Sequence, residues 1–296
     1  MLPLYLKNRD KITKKLEYLK ERLSPCQLCP RKCRAKRAEG EKGFCGGGEK
    51  ATVASYFPHF GEEKCLVGEH GSGTIFFTHC NLKCVFCQNY EISHLGEGKE
   101  ISSQELAKIM LFLQKLECHN INLVTPTHFV PQILEALTFA IEEGLTIPLV
   151  YNCGGYESEE VIDILEGIID IYMPDTKFYS SQISQELSSC SDYFENLKKI
   201  LKKMHGQVGN LIIENGVAQR GLLIRHLVMP NQTKETKEIM KFIAGNISSE
   251  SYVNIMSQYT PCGEAHHFPH IGRAITRDEY LEAREIALSL GIKRLD

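Results

Sequence analysis

The 296-residue sequence has no tryptophan, and no uninterrupted apolar run reaches the ~18–20 residues that a membrane-spanning helix needs. Charge of one sign is also scarce: 34 Lys+Arg stand against 37 Asp+Glu, a net −3, which gives no chain-wide field toward nucleic acid or an anionic membrane. The opening residues, Met1 to Asp10, become charged too soon to form the apolar core of a signal peptide. Low-complexity segments and internal sequence repeats are absent. A cytoplasmic location is therefore expected, where thiols stay reduced and disulfides are rare. What the chain does have is 12 cysteines, which in that setting need another use.

The length suits one large α/β domain or two ordinary ones, and the 43% hydrophobic content is that of a globular protein rather than a disordered or fibrous one. Ile12, Leu16, Leu19 and Leu23 form one apolar stripe on a helix from about Asp10 to Leu23. Short β-like runs follow at Ala51 to Tyr56 and Cys65 to Val67. Residues 1–72 are read as an N-terminal extension with its own small fold, and 73–296 as the main domain.

From Gly73 onward, β-rich runs alternate with helical stretches. The expected strands are Thr74 to Thr78, Ile121 to Thr125, Pro148 to Asn152, Asp170 to Met173, Leu222 to Met229 and Tyr252 to Ser257. Ser102-x-x-Glu105 and Thr276-x-x-Glu279 are capping boxes opening helices to Leu116 and Leu290. Other helices are expected at Val130 to Glu143, Ser158 to Gly167, Ile183 to His205 and Thr233 to Ala244. Six strand–helix units in series imply a parallel sheet. Polar residues after every strand favour a partial (β/α)6 barrel of the TIM type over an open doubly wound sheet, because a ring collects contributions from all six loops.

The cysteines fall into two clusters and several single positions. Cys118 and Cys190 read as small buried hydrophobes. Cys80, Cys84 and Cys87, spaced Cys-x3-Cys-x2-Cys after the first barrel strand, offer three soft thiolates to one small cluster. A [4Fe–4S] cube held this way keeps one iron without a protein ligand, and an open position is where chemistry happens. The alternative is a zinc loop completed by His79 or His94. Cys26, Cys29, Cys33 and Cys45 supply four thiolates, enough to close a tetrahedral zinc site or hold a second Fe–S cluster, with Arg31, Lys32, Arg34, Lys36 and Arg37 around them. That basic run reads as offsetting thiolate charge more than as a phosphate or nucleic-acid site. His266, His267, His270 and Glu264 form a further group that reads either as a metal site or as a lid or substrate-contact loop.

The Cys80–Cys84–Cys87 loop, with Phe86 before its last cysteine, resembles that of the radical S-adenosylmethionine (radical SAM) superfamily. The resemblance implies a radical SAM-type partial barrel, a [4Fe–4S] cluster and S-adenosylmethionine. SAM's amino and carboxylate groups would chelate the open iron, and one electron would cleave the S–C5′ bond. The products are methionine and a 5′-deoxyadenosyl radical that abstracts hydrogen from a substrate. The cofactors carry the difficult chemistry, and the protein orients them.

Within that superfamily, several residues resemble the homologues of pyruvate formate-lyase activating enzyme. Asn89 matches a polar residue bordering SAM. Asn152-Cys153-Gly154-Gly155-Tyr156 lies where the branch carries a turn whose acid binds the ribose, with Asn152 in place of the acid. Asp175-Thr176-Lys177 matches a segment lining the SAM pocket, although an ordinary surface ion pair has the same look. Arg225 matches a strand-borne arginine; its neighbour His226 must face the opposite way. The Gly-Gly-Glu-like segment that receives the SAM amino group in many members is replaced here by Leu123-Val124-Thr125-Pro126-Thr127-His128. The Thr127 hydroxyl or backbone carbonyls are the expected substitute, with His128 a proton relay, part of the pocket wall or the start of the helix. The resemblance further implies a reductant such as flavodoxin or ferredoxin and, as substrate, a glycyl-radical protein. A small molecule or peptide is the other substrate reading. A non-enzymatic Fe–S or zinc electron-transfer or docking protein is the rival class.

Overall fold

The computed structural model describes all residues, 1–296. Two short helices, α1 (Leu4–Lys7) and α2 (Arg9–Glu21), lead into the N-terminal cysteine loops. Strand β1 (Ala51–His59), helix α3 (Lys64–Val67) and strand β2 (Ser72–Phe77) follow, then β3 (Lys99–Ile101) and α4 (Ser103–Lys115). The remaining units are β4 (Ile121–Val124) with α5 (Val130–Glu142), β5 (Leu149–Cys153) with α6 (Glu159–Leu165), and β6 (Ile171–Pro174) with α7 (Ser181–Ser188) and α8 (Tyr193–Val208). Last come β7 (Ile212–Glu214), β8 (Val217–Leu227), α9 (Thr233–Asn246), β9 (Tyr252–Met256), α10 (Arg277–Ser289) and β10 (Arg294–Leu295).

Strands β2, β4, β5, β6, β8 and β9 lie side by side in chain order and all run parallel. Sequential order excludes the doubly wound alternative, whose order reverses at a switch point. The sheet does not close: β10 extends it beyond β9, while β1 and β3 extend it antiparallel beyond β2. This is the expected partial TIM-like α/β barrel with additions on both rims.

Local chemistry sets several boundaries. Both capping boxes form, Ser102 with Glu105 and Thr276 with Glu279, each satisfying two free N–H groups at a helix start. The expected helix over Ile183 to His205 is instead two, broken where Ser189 takes a left-handed conformation (φ 52°) that stops α7. The expected strand at Cys65 to Val67 is the helical turn α3, whose side chains Cys65 and Leu66 are buried against the barrel.

The N-terminal segment does not have a core of its own. Tyr5, Ile12, Leu16, Leu19, Cys26 and Leu28 belong to the same buried cluster as the barrel strands and helices. The apolar stripe of α2 packs on α5; Lys11, Lys14 and Lys20 remain exposed, while Lys15 donates to the Ile164 and Glu166 carbonyls. β1 joins β2 in register from Val53 opposite Phe77 to His59 opposite Ser72. This pairing carries the residues after β1 around to the open side of the barrel.

Candidate active site at the carboxyl end of the barrel

A cavity of about 420 Å³ opens where the parallel strands end. Its walls bring together Cys80, Cys84, Phe86, Cys87 and Asn89 from the loop after β2. Across from them stand Asn152 at the end of β5, Asp175 and Lys177 just past β6, and Arg225 in β8. Residues far apart in the sequence, Cys80 and Arg225 among them, thus converge because a parallel barrel delivers every strand's carboxyl end to one face.

The cysteine loop is built on unusual backbone. His79 (φ 68°) and Lys83 (φ 54°) adopt left-handed conformations, which curl the chain so that the sulfurs turn inward. The Leu82 N–H donates to Cys80 Sγ at 3.4 Å, and the Ser93 hydroxyl donates to Cys87 Sγ at 3.2 Å. Burial pushes the Cys80 thiol up to about 11 and Cys84 higher still, with Lys177 pulling both back. Free thiols there stay protonated, so only a bound cation converts them to thiolates. Three soft donors on a desolvated loop fit an iron–sulfur cluster with one open iron. No three cysteine, histidine or acidic side chains are drawn into ligating geometry in the structure, so spacing and shared placement in the cavity assign them. His94 stacks on Tyr90 and sits against Ser93, not among the sulfurs.

Facing the sulfurs is a polar cluster centred on Arg225. Its Nε donates to Asp175 Oδ1 at 2.8 Å, its Nη2 donates to Asn152 Oδ1 at 2.6 Å, and its Nη1 lies 3.6 Å from Glu62. Lys177 pairs with the other Asp175 oxygen. Burial pushes Asp175 up, but Arg225 and Lys177 outweigh it and hold the carboxyl below its ordinary range. Asp175 and Lys177 are therefore a half-buried, charged wall of the cavity and not a surface pair. His226 points away as alternation requires: its Nδ1 meets the Thr176 carbonyl and its Nε2 the Thr236 hydroxyl.

Thr127 is a correction. It lies fully buried behind the cavity, where its hydroxyl donates to Glu157 Oε1 at 2.7 Å. Thr125 takes the place in the wall, held with φ 59°, a conformation costly for a β-branched residue. That twist directs the chain downward, so Thr127 and His128 enter the interior. His128 is buried with its Nε2 against the Thr78 carbonyl, and burial together with Arg37 lowers it to about 3, a neutral strut beneath the cysteine loop.

Other expected groups fall elsewhere. His267 faces Glu264 and His270 lies 3.9 Å from Glu186, so the histidines of that loop do not converge. The loop is tied to the cysteine segment by the Glu264 N–H, which donates to the Val85 carbonyl at 2.7 Å. In the N-terminal basic run, Arg31 and Arg37 turn inward to backbone carbonyls. The cavity also contains His59 and Glu62, delivered by the β1–β2 hairpin. An acidic cluster (Glu62-Glu63) directly after a β-run was their only trace in the sequence.

An open parallel barrel with three thiols at its carboxyl face, opposite a half-buried Asp–Lys–Arg wall, defines a cofactor-dependent enzyme scaffold. The family model described as Radical SAM superfamily matches residues 74–243, and the chain belongs to that superfamily. It is 35% identical over 283 residues to the uncharacterized protein MJ0674 of Methanocaldococcus jannaschii, covering 92% of this chain and 77% of that one. Among solved structures it is similar to Streptococcus suis SuiB bound to precursor peptide SuiA (TM-score 0.49, 15% identity) and to SuiB bound to S-adenosylmethionine (TM-score 0.49, 16% identity). Each covers 71% of this chain, which spans 43% and 44% of the two SuiB chains, less than half their length.

Proposed function

We propose that this protein is a radical SAM enzyme that reductively cleaves S-adenosylmethionine and uses the resulting 5′-deoxyadenosyl radical to abstract hydrogen from a substrate. The observation that carries the reading is the meeting, in one cavity, of Cys80, Cys84 and Cys87 with Asn152, Asp175, Lys177 and Arg225. Cys80, Cys84 and Cys87 would hold a [4Fe–4S] cluster, which when bound would pass one electron from a reductant to SAM for S–C5′ cleavage. The chain's own part is positioning. Phe86, packed edge-on against Phe178 and Tyr259, walls the cluster loop from water. Asn152, whose Oδ1 already accepts from Arg225, offers that oxygen's second lone pair and its Nδ2 donor to ribose hydroxyls, while Asp175, with one oxygen on Arg225 and the other on Lys177, keeps further lone pairs for a hydroxyl or an ammonium. Asn89 borders the same space beside Cys87. With Thr127 turned inward, the acceptor for the SAM amino group on the β4 side is Thr125 or its backbone.

Anaerobically reconstituted protein, reduced with dithionite, is expected to form 5′-deoxyadenosine from SAM, and Cys84→Ala is expected not to. Equal turnover by both would remove the reading. Reversible one-electron chemistry with no SAM consumption would favour the electron-transfer class instead.

The finer reading is that the hydrogen donor is a backbone glycine of a partner protein, as in the activating enzymes of glycyl-radical proteins, with flavodoxin or ferredoxin as reductant in the cytoplasm. Its support is the placement of Asn152, Asp175, Lys177 and Arg225, the residues by which the sequence resembles that branch. A small-molecule or peptide substrate is favoured by His59 and Glu62, which narrow the open side of the cavity and add a titratable pair to it. An EPR glycyl doublet in a co-incubated partner would support the first; label transfer into 5′-deoxyadenosine from a deuterated small molecule or peptide would support the second.

A further inference from the structure

Arg37 is a wholly buried guanidinium with no carboxylate partner. None of its exposed surface remains, and no Asp or Glu lies within ion-pair distance of it. Its donors reach backbone oxygens: Nε and Nη2 donate to the Gly48 carbonyl at 2.8 and 2.6 Å, and Nη1 donates to the His128 carbonyl at 2.8 Å. Its one other polar neighbour is sulfur, with Nη1 3.8 Å from Cys26 Sγ. A Cβ on Gly47 would lie 3.2 Å from Arg37 Nη2 and 3.3 Å from Cys45 Sγ, so the guanidinium sits beside that thiol too. Arginine does not shed its proton in a protein, and a buried charge left unpaired costs several kcal/mol. The anion that balances Arg37 must come from the cysteines.

The four thiols share one small segment of the structure, although no three of them are drawn into ligating geometry. A Cβ on Gly43 would lie 3.2 Å from Cys33 Sγ and 3.5 Å from Cys45 Sγ, so those two sulfurs flank the same residue. The Cys26 N–H donates to the Ala35 carbonyl at 2.9 Å and the Arg34 N–H to the Cys26 carbonyl at 3.0 Å, which folds Cys26, Cys29 and Cys33 into one closed loop. The Gly47 N–H donates to Cys45 Sγ at 3.3 Å. Such N–H donors stabilise sulfur that carries negative charge. Cys26, Cys29 and Cys45 are buried, which disfavours thiolate unless a cation binds it.

We infer that Cys26, Cys29, Cys33 and Cys45 bind one metal centre as four thiolates, with Arg37 as its buried counter-cation. Four thiolates around a zinc ion or around an oxidised [4Fe–4S] core both leave a net charge of about −2, of which Arg37 offsets half, so either kind of centre supplies the anion that Arg37 lacks. The centre also anchors the barrel's cysteine loop. The ring of His79, adjacent to Cys80, packs so closely on Gly46 that a Cβ there would lie 2.6 Å from its Nδ1. Arg31 Nε donates to the Asn81 carbonyl at 3.0 Å, and Arg37 braces His128, whose own ring holds the Thr78 carbonyl. The four-thiolate centre and the three-thiol loop are thereby locked to each other through two arginines.

The test uses the full chain carrying Cys80→Ser, Cys84→Ser and Cys87→Ser, so that any tightly held metal reports on the N-terminal centre alone. Anaerobically purified material is expected to retain either about one zinc or about four iron with matching sulfide per chain. Metal analysis with Mössbauer spectroscopy distinguishes the two, and either supports the tetrathiolate. Adding Cys29→Ser or Cys45→Ser is expected to lower that content sharply, whereas Cys118→Ser leaves it unchanged. Arg37→Gln is expected to speed loss to a chelator by roughly tenfold or more, while Arg37→Lys, which keeps the cation, retains most of the metal. A metal-free chain, or content indifferent to Cys29 and Cys45, overturns the site. Retention by folded Arg37→Gln as tight as that of the parent overturns the counter-cation role.

Discussion

Arg225 Nε stands 2.8 Å from Asp175 Oδ1, and the same guanidinium reaches Asn152 Oδ1 at 2.6 Å. One side chain in β8 thereby fixes polar groups at the ends of β6 and β5. The pairing follows from sheet register, because Asp175 and Arg225 are themselves directly bridged across the sheet. With Lys177 on its other oxygen, Asp175 carries two half-buried cations. Asp175→Ala would leave Lys177 without its anion and Arg225 with only Glu62, and a loss of ~3 kcal/mol in urea unfolding is expected. Asp175→Asn, which keeps the shape, is expected to unfold with a smaller loss and to bind SAM more weakly.

The acid limb of stability follows from the same group. Asp175 is held below its ordinary value, so its contribution is fully present above the unfolded-state value near 3.8 and disappears as pH falls through the lower folded one. Arg225→Met removes the larger of the two opposing cations. It is expected to move this acid limb upward in pH, measured as the urea midpoint across an acid series.

Gly155 is required by close approach. It adopts φ +80°, and a Cβ there would collide with the Asp175 carbonyl oxygen and crowd the Tyr193 hydroxyl, which itself donates to that carbonyl at 2.8 Å. Gly155→Ala is expected to cost at least ~2 kcal/mol in urea unfolding, through both the forced backbone and the displaced Asp175. Gly144, also at positive φ but with open space around it, is the control: Gly144→Ala is expected to cost ~1 kcal/mol or less beyond its own backbone strain.

The barrel was readable because its signals are local. The β-runs and the two capping boxes occupy neighbouring positions, and strands with polar ends in parallel order put Asn152, Asp175, Lys177 and Arg225 on one face without knowledge of contacts. What escaped depends on distant partners. β3 is three residues long and exists through its ladder with β1. His59 and Glu62 reach the cavity only through the β1–β2 hairpin. Thr127 was misplaced because a polar residue after a strand looks the same whether the next turn rises to the cavity or descends into the core. The left-handed Thr125 decides that, and no sequence periodicity signals it. Which member of the basic run is buried beside the thiols was equally hidden: the run reads as offsetting thiolate charge, but only the fold singles out Arg37.

The placement of Thr127 yields a prediction that separates the two readings of that residue. Its hydroxyl and that of Tyr151 both donate to Glu157, at 2.7 and 2.9 Å, in a fully buried setting. Burial raises Glu157 to about 7 against the opposing hydrogen bonds from Thr127, Tyr151 and Cys153. A carboxyl whose folded value lies above its unfolded value of 4.5 favours the folded state at low pH, and that advantage is lost as pH rises from about 4.5 to about 7. The loss for this one group is roughly 3 kcal/mol by that span. Glu157→Gln cannot ionise, so the difference in unfolding free energy between it and the parent should grow across this window in favour of the variant and then level off. Thr127→Val removes one donor to the carboxylate and should move the same window further upward. If Thr127 is a strut, SAM affinity of the valine variant stays within about twofold of the parent, while Asn152→Leu, which strips an acceptor from the cavity wall, loses roughly tenfold. A large loss of SAM affinity in Thr127→Val, with the pH window unmoved, would return Thr127 to the cofactor site.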